Sequence, residues 1–292
     1  MMRRLTAALL SGLLVVLALT GCSGDNVSSP GEQSAPELPP TSTMAMNITL
    51  FESTDVDQEV LAAEGYEGVH LAAGMESRLN FLNAAIRVHF LNLVVCVSLI
   101  EPVAAFGLAV RSFPQPQPDG SWLWTYLYVG PSAEYSVFLN GKDMGDYTQW
   151  AMEVSSTDPS EPLDHFLWFE GQVDRDGNSG YWQFFEPEDA PPALMSATAG
   201  SALATPGVEC IRIDWEHYGQ DEHELAFLIN KAGAPEEGTS LTYFDSPSES
   251  SVEFYNAETG DTGTIWWYPD GSGSIEWPDY RDGGKYCWDT LQ

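Results

Sequence analysis

The chain has 292 residues, 43% of them hydrophobic and 12% aromatic, a composition that suits a substantial core and excludes a wholly disordered chain. Asp and Glu number 43 against 11 Lys and Arg, a formal charge of -32 at pH 7. A surface of that sign repels nucleic-acid phosphates and anionic headgroups, so it excludes nucleic acid as a partner and a basic patch as a membrane anchor. It favours solubility and attracts cations or a basic partner.

Met1-Met2-Arg3-Arg4 leads into an apolar run from Leu5 to Leu19, interrupted only by Thr6, Ser11 and Gly12. A short basic start, a short apolar run and small residues beyond it read as a secretory signal. Leu19-Thr20-Gly21-Cys22 closes the run and resembles the lipobox of bacterial lipoproteins. The resemblance covers about the first two dozen residues. It implies cleavage after Gly21, so that residues 1–21 are a signal peptide, and a diacylglyceryl group on the Cys22 thiol. It also implies frequent acylation of the new amino terminus. The bilayer is then a partner through the anchor, and Cys22 is the lipidation site. Ser23, where an aspartate would favour inner-membrane retention in some bacteria, points by the same resemblance to the outer membrane of the cell envelope. Each buried methylene contributes about 0.8 kcal/mol, so two or three acyl chains make release slow.

Residues 22–45 are rich in Ser, Pro, Gly and acids and carry no apolar period. Such a segment cannot offset its ordering entropy by burial, so composition predicts a disordered acylated tether. Fully extended, it would reach about 75 Å. Residues 46–292 then form a single globular domain, helical over 56–110 and a β meander over 120–292.

Leu79, Leu82, Ile86, Phe90, Leu93 and Val97 recur at steps of three or four, one face of a helix over residues 75–97. Glu76, Asn80, Asn83 and Arg87 fall on the opposite face. Pro102 is expected to break or kink this helix, with a second short helix over Val103–Val110. A transmembrane reading of residues 88–110 is interrupted by His89, Asn92, Ser98, Glu101 and Pro102, and a core helix is preferred.

Beyond residue 120 the apolar period becomes two. Twelve strand candidates run from Trp122–Val129 to Tyr286–Trp288, and all ten tryptophans lie here. Asn140-Gly141, Asp176-Gly177 and Asp270-Gly271 supply hairpin chemistry. Close spacing predicts an antiparallel meander, broken only by the long Pro187–Gly207 stretch. The expected fold class is mainly β with α: a curved sheet or half-open barrel packed on one long helix. In general shape this resembles envelope lipoproteins that carry lipids around an apolar cavity.

Four features could carry chemistry. Trp122, Trp124, Tyr126 and Tyr128 share one strand face, and would stack on sugars or line an apolar groove if exposed, or pack as core if buried. Asp174, Asp176 and Asn178 offer oxygens at alternate positions, as calcium prefers, but a plain hairpin turn explains the same residues. His217 and His223 sit among carboxylates in a short strand connection, residue types that suit a transition metal without matching a metalloprotease helix pattern. Glu170 and Glu186 lie beside aromatics, as glycosidase carboxylates do, in a chain where acids are everywhere. With Cys22 lipidated and Cys96 in an apolar run, Cys210 and Cys287 are candidates for one disulfide. No nucleophile elbow, phosphate loop or dinucleotide fingerprint is present.

The expected function is a non-enzymatic, membrane-anchored envelope lipoprotein. Its β domain would bind a hydrophobic or other small ligand, or a partner. The alternatives are a surface carbohydrate-binding or adhesion module and an envelope hydrolase. No cofactor is expected beyond the lipid on Cys22, with a divalent cation as the open case.

Overall fold

The computed structural model describes residues 34–52, 73–96, 99–130, 133–157, 162–187, 207–219 and 221–290. The signal run, Cys22 and most of the Pro187–Gly207 stretch lie outside these residues. One compact unit begins at Ala35.

Thirteen strands form one antiparallel sheet in which spatial order equals chain order, and the sheet does not close. They are β1 (Gln115–Pro116), β2 (Trp122–Val129), β3 (Glu134–Asp143), β4 (Tyr147–Ser156), β5 (Leu163–Asp174), β6 (Ser179–Glu186) and β7 (Val208–His217). Then follow β8 (His223–Ile229), β9 (Ser240–Asp245), β10 (Ser250–Tyr255), β11 (Thr262–Trp267), β12 (Gly273–Glu276) and β13 (Lys285–Trp288). The twelve sequence candidates all appear as β2 to β13; β1, only two residues long, was not among them. The β6–β7 connection spans the Pro187–Gly207 stretch, yet its strands pair directly, so this stretch joins neighbours within the sheet.

Helices α1 (Thr49–Glu52), α2 (Ala73–Cys96) and α3 (Ile100–Leu108) precede the sheet. Leu99, a turn residue, precedes α3, so the helical interruption comes before Pro102 rather than at it. Pro102 sits in the first turn of α3, where a missing N–H costs no helical bond, and Val103 N–H donates to Leu99 O at 2.9 Å. Among the described residues no helix is long and apolar enough to cross a membrane.

All helical segments pack on one sheet face, but one long helix does not cover it. Phe81 of α2 lies edge-on to Trp288 of β13. Phe51 of α1 contacts Phe81 and also Trp267 of β11. Phe106 of α3 contacts Trp150, Phe169 and Trp182 of β4, β5 and β6. A flat sheet of thirteen strands would span about 58 Å at about 4.8 Å per spacing. One continuous buried cluster nevertheless joins side chains from β2 to β13 through the helices, so the sheet curves around its cover.

Two sequence expectations are corrected here. The tether does not extend to residue 45. Thr43 and Met44 are buried, Ala35 and Leu38 pack against the core, and the Thr43 hydroxyl accepts a hydrogen bond from Trp182 Nε1 at 3.1 Å. Composition missed this because only a few side chains of the segment do the packing. The polar face of α2 is also only partly solvated, with Glu76 exposed and Arg87 half-buried. Asn80 and Asn83 are buried, while Ile86 is exposed. Asn80 donates to Cys287 O at 2.6 Å and accepts from Tyr280 Oη at 2.7 Å; Asn83 Oδ1 accepts from Arg87 at 2.9 Å. The buried amides are satisfied by the last hairpin and by their own helix, which removes the usual cost of burying them. The side chains of Phe90, Leu93, Cys96 and Val97 lie outside the described residues.

The inner face carries a lattice of indoles and glycines. In register across β2 to β6 run Trp122, Gly141, Trp150, Gly171 and Trp182. Trp267, Gly273 and Trp288 repeat the alternation across β11 to β13. Each glycine leaves room for a neighbouring ring to lie over the backbone. A Cβ on Gly171 would collide with the Trp182 ring and the Tyr181 carbonyl.

Candidate functional site

The aromatic ladder of β2 faces the helices. Trp124 and Tyr128 are buried, Trp122 and Tyr126 half-buried. Tyr126 Oη donates to Ala105 O of α3 at 2.9 Å, and burial raises its pKa. Tyr128 stacks on Tyr135, and both rings contact Trp168. These four side chains are core, and no row of rings is offered to a glycan.

The oxygen-rich segment after β5 is a hairpin turn. Asp174 accepts from Asn178 N–H at 2.8 Å and from the Ser179 hydroxyl at 3.0 Å, while Gly177 takes a positive φ of 70°. Burial pushes the Asp174 carboxyl up, and these hydrogen bonds outweigh it, so the net shift is downward. Asp176 and Asn178 are exposed. Among the described residues no group of three or more His, Cys, Asp and Glu side chains is placed to hold a metal ion.

His217 and His223 are brought together. They are direct cross-strand partners on β7 and β8, with ring centroids 5.5 Å apart and planes at 28°. Trp215 lies edge-on to His217, and Tyr243 lies against His223. Asp245 of β9 is paired in register with His223 and accepts from the Ser250 hydroxyl. Burial lowers the His223 pKa, Asp245 opposes that shift and His217 adds to it. Among the described residues the buried indole N–H groups of Trp215 and Trp150 have no hydrogen-bond partner.

Glu170 and Glu186 are not brought together as an acid pair. Glu170 faces Gln183 across β5 and β6, and Glu186 is ion-paired with Lys231 at 2.7 Å. Cys210 and Cys287 are both free thiols, the first buried on β7 and the second exposed on β13. Five strands lie between them in the sheet, so the expected disulfide is not formed. Burial pushes the Cys210 thiol up to about 12, which keeps it protonated and inert.

One surface was missed from sequence. On one side β2 pairs with β3 throughout, but on the other β1 pairs only with Trp122 and Leu123. From Trp124 to Val129 that rim has no strand partner among the described residues. Its outward side chains Leu127 and Val129 are 62% and 73% exposed, and Phe113, just before β1, is 92% exposed. The strand carries no charge in a chain that carries -32. Native proteins usually blunt such rims with Lys, Pro or a short strand. The sequence shows that the strand is uncharged, but not that one of its sides is left unpaired.

No known family, curated protein or solved structure matches the chain.

Proposed function

We propose that this protein is a bacterial envelope lipoprotein that acts as a non-enzymatic binding module, taking up an extended segment of a partner protein at the open rim of β2. In this reading Cys22 carries the acyl anchor at the outer membrane and residues 23–34 are the spacer. The body from Ala35 onward presents a half-open, curved sheet. The observation that carries the binding reading is the rim from Trp124 to Val129, which has no strand partner among the described residues, is uncharged and includes exposed Leu127 and Val129. Strand addition supplies affinity through main-chain hydrogen bonds, and alternate side-chain contacts supply specificity. An apolar segment with side chains at alternate positions would meet Leu127 and Val129. The inner face supports this choice over a carried small ligand, because its largest side chains are already packed against α1, α2 and α3.

Photo-crosslinking in the native envelope tests the reading. A photoreactive residue replacing Leu127 should give a discrete crosslinked partner, one replacing Thr242 in the middle of the outer face should not, and Thr125→Pro should abolish the Leu127 product. Equal products from both positions, or products unaffected by the proline, would show that the rim is not where the partner binds.

A further inference from the structure

The imidazoles of His217 and His223 stand where the antiparallel ladder brings side chains closest. His217 N–H donates away from β8, to Asn178 O at 2.7 Å, and the next pair toward the turn is closed by Tyr218 N–H on Glu222 O at 3.0 Å. His217 and His223 are therefore a non-hydrogen-bonded pair, the type with Cα atoms only about 4.5 Å apart. Both rings lie on the inner face at the end of their hairpin, and neither is fully buried. Their centroids are 5.5 Å apart. Two ligands at about 2.0 Å from a tetrahedral ion sit about 3.3 Å from each other, a convergence that rotation of the two rings about their side-chain bonds can supply. Trp215 lies edge-on to the His217 ring and Tyr243 edge-on to the His223 ring, so each imidazole also has an aromatic neighbour of its own.

We infer that His217 and His223 chelate a borderline divalent transition-metal ion, with zinc as the reference case, through two imidazole nitrogens. The remaining positions are filled by water, and Asp245 stands next in the row. Imidazole pairs select such ions over calcium and magnesium, which prefer all-oxygen sites. Glu216, Asp221, Glu222 and Glu224 flank the pair in sequence and raise the local cation concentration without needing to ligate. The site does not depend on the rim of β2 or on the partner proposed for it.

Calorimetric titration of the full chain with zinc chloride in excess magnesium tests the assignment. One saturable site is expected. Removing a first ligand should weaken it at least about tenfold, since loss of an outer-shell partner alone costs about that much. His217→Gln and His223→Gln should each do so, while His165→Gln on the other sheet face and Cys287→Ser should leave affinity unchanged. Zinc should raise the melting temperature of the wild type but not of the Gln variants, and apo melting of each variant checks its folding. Shifts of two histidine ring resonances on zinc addition give a readout without substitution. Absence of a saturable site, displacement by magnesium, or a site indifferent to both Gln variants would each overturn the inference.

Discussion

Gly171→Ala probes the indole–glycine lattice that lets one sheet curve around its cover. Gly171 stands between Trp150 and Trp182 in the inner-face row, and both rings are fully buried. The added methyl meets the Trp182 ring and, more seriously, the Tyr181 carbonyl, which cannot rotate away. Overpacking a tight core costs about 1–3 kcal/mol where side chains absorb it, and a backbone clash places this site at the upper end, about 3 kcal/mol. For a body of this size each kcal/mol moves the melting temperature by about 2–4 °C, so a drop of about 6–12 °C is expected. Gly219→Ala is the control: a Cβ there meets nothing within 4 Å among the described residues, and its melting point should stay within about 2 °C of wild type. Urea unfolding followed by tryptophan fluorescence gives the free energies directly. If Gly171→Ala matched Gly219→Ala to within about 0.5 kcal/mol, the rings would not be held over the backbone as described.

Thr43→Val should destabilise the fold by about 1–3 kcal/mol in chemical denaturation, because it strands the buried Trp182 N–H. The cost should shrink in a Trp182→Phe background, where only the Thr43 bond to Pro40 O is lost. With a thiol reagent at neutral pH, one thiol of a Cys22→Ser, Cys96→Ser chain should react at once, Cys287. Cys210 should react only on unfolding; two unreactive cysteines would indicate the disulfide instead. Hydrogen bonds from the Ser121 hydroxyl and N–H, with Lys142 nearby, lower the Asp119 carboxyl to about 2. Its contribution to folding is therefore present above its ordinary range and lost as pH falls through about 2. Carboxyl NMR titration should show that midpoint, rising in Ser121→Ala.

The meander was readable because period two and turn chemistry are local. Asn140-Gly141 is an informative partial failure: it looks like a hairpin turn, yet both residues lie inside β3, where Gly141 pairs with Trp150 and makes room for its ring. Local dipeptide chemistry yielded there to packing against a ring from another strand. The face of α2 was misread for a related reason. Helical periodicity assigns asparagine to solvent, but Tyr280 and Cys287, about 200 residues away, complete the hydrogen bonds of Asn80. The ladder of Trp122 to Tyr128 was correctly placed on one face, yet period two cannot say which face is covered. That is fixed by Phe106 and Ala105 on a helix whose docking has no local signature. The cross-strand meeting of His217 and His223 follows from a short hairpin, so the cluster could be read. The open rim of β2 needed the register of β1.

In the proposed reading a covalent lipid anchor holds an acidic, tryptophan-rich sheet at the envelope. Intact-mass measurement on protein extracted from bacterial membranes, beside a Cys22→Ser chain, tests it most directly. The wild-type polypeptide should begin at Cys22 and be heavier by a diacylglyceryl group, with or without a further acyl chain, and the serine variant should lose both the added mass and the membrane association. A wild-type mass equal to the bare polypeptide, or a serine variant bound as firmly as wild type, would contradict it.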